Sequence, residues 1–277
     1  SDIFCRAAAW KIQNVFPHPG GSCSAGLVVA ESLSRSAFRK IVSGSMQIPK
    51  KYIPQIRRRI LVSTLIAMVY MAVLFGASGR WDWLGGWTVS ILYLATLIVT
   101  ALILLKKDPA LYAERAQEGE NTPTWDRILA RVVAGGPLLI SLVAGLDIRY
   151  GEPPYLFRLL LPAGAFLTIL GVAFTLWAMV SNPFFSGTVR IQTERGHTVA
   201  SGGPYRWVRH PGYVGMAIWS LATPMVLGSL WSWIPSLIVL VALIVRTALE
   251  DRTLLQKLPG YLDYAERVRY RLIPGIW

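Results

Sequence analysis

The side chains best suited to chemistry crowd into the last third of the chain. A connection over residues 181–211 carries Asn182-Pro183-Phe184-Phe185, Glu194 and His197. It then runs Gly202-Gly203-Pro204-Tyr205-Arg206-Trp207-Val208-Arg209-His210-Pro211-Gly212-Tyr213. Glycine and proline at such spacing hold the backbone in turns, and a connection this long in a compact chain is usually functional or disordered. Its many aromatics and prolines favour function. Further on stand Arg246, Glu250, Asp251 and Arg252, then Tyr261 and Tyr264. Arg246 and Glu250, four apart, share one helix face, where they can pair or jointly grip a zwitterion. Cations, carboxylates and aromatic faces gathered in this way suit a ligand that carries both charges and a flat ring.

The elements that must position these groups are membrane helices. Of the 277 residues, 53% are hydrophobic and 16% charged, and the mean hydropathy is +0.45, well outside the habit of a soluble enzyme. Apolar runs of spanning length occupy residues 60–77, 87–105, 128–146, 159–180, 213–227 and 230–245, the last two short and separated by Gly228 and Ser229. The sequence therefore predicts an all-α fold, a polytopic integral membrane bundle of five to six transmembrane helices with a cytoplasmic C-terminal helical segment. Lys and Arg fall about 19 to 3 on one side of these spans, which places both termini in the cytoplasm. The net charge of +13 is thereby explained by topology, and a nucleic-acid partner loses its support. Arg209 and His210 sit just before the fifth run, at a depth where a polar ligand meets a membrane pocket.

Three regions follow from composition: residues 1–45, an extension without a span; 46–180, the N-terminal spans; and 181–277, where the polar groups gather and a cofactor-binding catalytic region is expected. The extension reads as a transit peptide, a mis-assigned start ahead of Met46, or a disordered tail. Cys5 and Cys23 are too few for a zinc site or a disulfide framework, so no metal is expected. Residues 274–277 carry no prenylation cysteine, which leaves anchoring to the apolar segments. Asp108-Pro109 with Leu111 and Tyr112 reads as a turn into a short amphipathic helix.

His197, Gly203 and Tyr205, the run Arg209-His210-Pro211-Gly212-Tyr213-Val214-Gly215, then Glu250-Asp251 and the tail from Gly260-Tyr261 to Ile273-Pro274 resemble the isoprenylcysteine carboxyl methyltransferase family and the related phospholipid methyltransferases. The resemblance covers residues 181–277. It implies a membrane enzyme that takes S-adenosylmethionine from the cytosol and a lipophilic or lipidated acceptor from the bilayer. It further implies cofactor contacts at His197, Gly203, Tyr205, Arg209, His210, Pro211, Tyr213, Gly215, Glu250, Asp251, Tyr261 and Tyr264, and catalytic roles for Arg246 and Glu250. In one departure, Asp251 stands where the family often has a second glutamate. Among these, Arg209 or His210 suits the cofactor carboxylate, Glu250 its ammonium or ribose, and the tyrosines its sulfonium or adenine. Arg246 suits an anionic acceptor; an amine acceptor would instead make Glu250 the proton acceptor.

Plainer alternatives exist for each group. Arg209-His210-Pro211 also reads as an interfacial turn facing lipid phosphates, Arg246 and Glu250 as a helix-end pair, and Tyr261 and Tyr264 as an aromatic belt. Asn182-Pro183-Phe184-Phe185 reads as the end of the fourth span, with its rings at the interface. The rival functions are an NADPH-dependent reductase of sterol-like substrates, which needs extra cations for the 2′-phosphate, and a scaffold or transporter subunit. The first four spans lack the intramembrane charges of a transport path.

Overall fold

In hydrocarbon the backbone has no partner but itself, so apolar runs of this length become helices. The computed structural model describes residues 49–277 apart from 115–121 and 152–154. The extension, residues 1–45, lies outside the described residues, and Ile48–Trp277 is one unit. Among the described residues there are eight α-helices and no strand. These are α1 (Ile53–Ser78), α2 (Leu84–Lys107), α3 (Pro109–Glu114), α4 (Thr124–Tyr150), α5 (Tyr155–Ser181), α6 (Pro211–Leu227), α7 (Trp233–Lys257) and α8 (Tyr261–Arg267).

Five of them, α1, α2, α4, α5 and α7, are long and apolar enough to cross a membrane. The seventeen residues of α6 reach about 25 Å at 1.5 Å per residue, short of a ~30 Å hydrocarbon core. The fold is thus the expected all-α polytopic bundle, with one difference. Only the fifth apolar run is short, because α7 continues past Val245 to Lys257 and carries Arg246, Glu250 and Asp251 on an unbroken helix. Large apolar side chains such as Leu61, Ile91, Ile98 and Phe166 point outward, a surface that suits lipid and would be a liability in water.

Away from the polar cluster, α1, α2, α4 and α6 meet around Tyr70, Leu74, Phe75, Ile140, Ala144 and Val226. The α6–α7 turn is capped there: Gly228 adopts φ 71, and Ser229 Oγ donates to Asp147 Oδ2 at 2.6 Å. As expected from Asp108-Pro109, a short helix follows, started by the Leu111 N–H donating to Asp108 Oδ1 at 2.9 Å. This helix, α3, docks Leu111, Tyr112 and Ala113 against Ile56, Leu104, Leu176 and Met179.

Helices α5 and α6 pack closely, and glycine is the reason. A Cβ on Gly171 would stand 2.7 Å from the Gly215 carbonyl oxygen and 2.9 Å from the Trp219 nitrogen. The two backbones are in contact, as small residues allow between membrane helices. This contact sets the spacing between the end of α5 and the start of α6, from which the long 182–210 connection hangs.

Gly171→Leu is therefore expected to destabilise the bundle by about 1–3 kcal/mol, since its side chain would meet backbone that cannot step aside. Gly76, in the last turn of α1 with nothing within 4 Å of its Cβ position, should accept alanine with no loss. Thermal unfolding of both variants in detergent checks the pair.

Candidate active site

Where α5 ends, the chain turns at Asn182 and wanders to Pro211 before re-entering the bundle as α6. Proline at the first helical position costs no hydrogen bond, so His210 becomes the N-cap. Two backbone bonds fix the approach: the Arg209 N–H donates to the Tyr270 carbonyl at 2.9 Å and the His210 N–H to the Arg271 carbonyl at 3.0 Å. The tail after α8 thus lies beside the entry to α6.

Asp251 is the centre of this arrangement. Its carboxylate is fully buried and receives four side chains. Arg209 Nη2 donates to Oδ2 at 2.9 Å, with Nε 2.9 Å from Oδ1. Arg271 Nε donates to Oδ2 at 2.8 Å and Tyr261 Oη to Oδ1 at 2.9 Å, and His210 Nε2 lies 3.2 Å from Oδ1. Arg209 also caps the end of α8 through Nη1, which donates to the Ala265, Val268 and Arg269 carbonyls. A buried carboxylate is tolerated only with this kind of compensation.

A second buried ion pair contributes to the same end of the bundle. Arg246 Nε meets Asp126 Oδ1 at 2.7 Å, and Arg246 Nη2 donates to the Gly187 carbonyl at 2.7 Å. Asp126 Oδ2 accepts from the Val189 N–H at 2.7 Å. The Arg246 guanidinium lies 5.5 Å from the Tyr213 ring centroid. The helix-face pairing open to Arg246 and Glu250 is not made: Glu250 Oε2 accepts from Tyr213 Oη at 2.5 Å.

Beside these ion pairs lies a cavity of about 340 Å³, a size ordinary for small-molecule sites. Among the residues chosen from sequence, His197, Tyr205, Arg209, His210, Tyr213, Arg246, Glu250, Tyr261 and Tyr264 line it. Gly203, Pro211, Gly215 and Asp251 are outside its lining. Gly203 turns the chain at φ 58, Pro211 starts α6, Gly215 contacts α5, and Asp251 holds the lining residues from behind. Asn182, Phe184 and Phe185 also line the cavity. The expectation that this stretch ends the fourth span holds, since α5 stops at Ser181. Its rings nevertheless turn inward: Phe184 stacks on His197 with centroids 4.5 Å apart. Asn182 is drawn in by Tyr205, to whose Oη its Nδ2 donates at 3.2 Å.

Burial raises the Tyr205, Tyr261 and Tyr264 hydroxyls above their ordinary range, Tyr261 also through the Asp251 carboxylate. All three stay neutral donors at physiological pH, and Tyr264 Oη donates to the Tyr205 carbonyl at 2.7 Å. Burial, then the Arg195 guanidinium, lowers the His197 imidazole below 6.5. The neutral ring accepts the Gln192 N–H at Nδ1, 3.2 Å away. Sequence reasoning missed Asp126. Its only signal was a lone acid at the start of an apolar run, which looks like ordinary helix N-terminal charge. No group of His, Cys, Asp or Glu among the described residues is arranged to hold a metal.

Comparison with known proteins agrees with the resemblance read from the motifs. Residues 164–256 match the isoprenylcysteine carboxyl methyltransferase (ICMT) family. Protein-S-isoprenylcysteine O-methyltransferase of Rattus norvegicus is 32% identical over 114 residues, 38% of this chain and 38% of that protein. Probable protein-S-isoprenylcysteine O-methyltransferase of Oryza sativa subsp. indica is 30% identical over 108 residues, 38% of this chain and 56% of that protein. Delta(14)-sterol reductase of Mus musculus is 33% identical over 100 residues, 35% of this chain and 24% of that protein. The chain thus spans between about a quarter and a half of these relatives' lengths.

Replacing Asp251 by alanine should cost about 3–5 kcal/mol, because Arg209 would be left buried without its counter-charge; thermal unfolding in detergent measures it. A folded-state His197 below the unfolded value of 6.5 means the unfolded chain takes up the proton first. Its contribution to stability is whole above pH 6.5 and falls on acidification. Between pH 7 and 5 the wild type should lose more thermal stability than His197→Phe, which keeps the ring stack and cannot protonate.

Proposed function

We propose that the chain is an integral membrane methyltransferase that uses S-adenosylmethionine to methylate a lipophilic or lipidated acceptor entering from the bilayer. One observation carries this reading. The segment matched by the family, 164–256, contains the long connection, α6 and nearly all of α7, which together supply most of the cavity lining.

The residues present fit the cofactor. The cavity combines a carboxylate, Glu250, with cationic groups and several aromatic faces, matching a ligand that bears a carboxylate, an ammonium and adenine. When bound, S-adenosylmethionine supplies a methyl group on a positively charged sulfur. Glu250 would take its ammonium or ribose, and Tyr205, Tyr213, Tyr261 and Tyr264 would offer ring faces to cation and adenine. For the cofactor carboxylate, His210 is the better of the two candidates. Arg209 commits its guanidinium to Asp251 and the carbonyls after α8, whereas the imidazole has a second nitrogen, Nδ1, beyond the one that meets Asp251. Arg246 would orient an anionic acceptor; with an amine acceptor Glu250 would receive the proton.

A lipophilic acceptor is supported by a second, apolar slot of about 150 Å³ between α2, α5 and α6, lined by Tyr93, Leu176, Met179 and Trp219. Met216 borders both spaces. The bias of Lys and Arg supports a site and two termini on the cytoplasmic side.

The similarity to a sterol reductase keeps an NADPH-dependent reductase as the rival. A 2′-phosphate calls for available cations, and those of the cavity are engaged: Arg209 with Asp251, Arg246 with Asp126, Arg190 near Glu194 at 3.5 Å.

Calorimetry on the purified protein in nanodiscs should show saturable S-adenosylmethionine binding, competed by S-adenosylhomocysteine, with no response to NADPH. His210→Ala and Glu250→Ala should each lose that binding while the protein still accumulates in the membrane. Binding of NADPH alone would replace this reading with the reductase.

A further inference from the structure

Arg246 and Glu250 stand one turn apart on α7, and both face the cavity. Left to themselves, an arginine and a glutamate at this spacing pair, and the attraction grows where water is excluded. Here they do not pair. The Arg246 guanidinium turns to Asp126 Oδ1 and to the Gly187 carbonyl, and Glu250 takes its hydrogen bond from the Tyr213 hydroxyl. Asp126 comes from the first turn of α4, outside the segment that matches the family. Its side chain is fully buried, and both oxygens are used, Oδ2 by the Val189 N–H. A carboxylate in that position is costly to bury, more than a helix N-terminus requires.

We infer that Asp126 is a positioning residue that holds Arg246 away from Glu250 and so keeps the Glu250 carboxylate available to a cationic ligand group. Asp126 and Glu250 compete for one guanidinium, and Asp126 wins through a contact of 2.7 Å, with the Gly187 carbonyl fixing the same orientation. Without the Asp126 charge, Arg246 turns to Glu250, and the cavity loses its anionic wall although every group lining it is still present. The charge separation stands on the geometry alone; its consequence for S-adenosylmethionine rests on the function proposed above.

The test is a double-mutant cycle on the full chain in detergent. Thermal midpoints are measured for Arg246→Gln, Glu250→Gln and the double variant, in the wild type and in Asp126→Asn, whose amide oxygen can still accept from Val189. Coupling between Arg246 and Glu250 should be near zero in the wild type and favourable by several degrees in Asp126→Asn; equal coupling in both backgrounds overturns the inference. In calorimetry, Asp126→Asn should bind S-adenosylmethionine about tenfold more weakly, a loss of about 1.4 kcal/mol. Asp126→Asn/Arg246→Gln should regain most of that affinity, because the competing cation is gone. A purely structural Asp126 would instead make the double variant worse, which also overturns the inference. If Asp126→Asn fails to accumulate, Asp126→Glu takes its place: it keeps the charge and should bind within a few-fold of the wild type, and a tenfold loss in that folded variant overturns the inference. A wild type that shows the coupling pattern and binds no S-adenosylmethionine would refute the proposed cofactor while upholding the charge separation.

Discussion

A carboxylate with no access to water must be surrounded by donors, and in this protein that requirement organises one end of the bundle. Asp251 draws Arg209 from the long connection, His210 from the start of α6, Tyr261 from α8 and Arg271 from the tail. Three stretches of chain, residues 209–210, α8 and the tail, converge on α7 because one buried charge needs all of them. The short aspartate side chain suits the position: the groups come to it on α7, and a longer acid would push into the space they fill. The same contacts close the cavity wall, since Arg209, His210 and Tyr261 line it while Asp251 stands behind them.

The membrane-embedded part works by different physics. Lipid gives helices no hydrophobic reason to associate, so close approach depends on small residues and local polar contacts. Gly171 against Gly215 lets α5 and α6 touch backbone to backbone, and the Ser229 hydroxyl against Asp147 ties the α6–α7 turn to α4. This rigid frame carries the 182–210 connection, which has little regular structure of its own and depends on Asp126, Tyr205 and the tail for its shape.

Two buried ion pairs flank one cavity and divide the work. The Asp251 cluster neutralises Arg209 as it builds a wall; the Asp126–Arg246 pair anchors the connection at Gly187 and Val189. Because both arginines are compensated, Glu250, held by the Tyr213 hydroxyl, is the carboxylate that lines the cavity.

The helical membrane bundle was legible in the sequence alone, because a bilayer permits few backbone solutions and long apolar runs declare themselves. The polar cluster after residue 181 was legible too: residues as costly to place in a membrane as Arg209, His210, Arg246 and Glu250 stand out against apolar neighbours. Local spacing left Arg246 and Glu250 either to pair or jointly to grip a zwitterion, and in the structure they do not pair. The winning partner, Asp126, lies 120 residues away on another helix, and no local pattern connects the two. The rings after Pro183, expected at the interface, are likewise turned inward, Phe184 onto His197, while Asn182 meets Tyr205. Sequence determined which segments become helices and where the costly charges lie. Which charge neutralises which was decided only by the tertiary structure, since ion pairing follows distance in space and desolvation, neither of which is written in residue order.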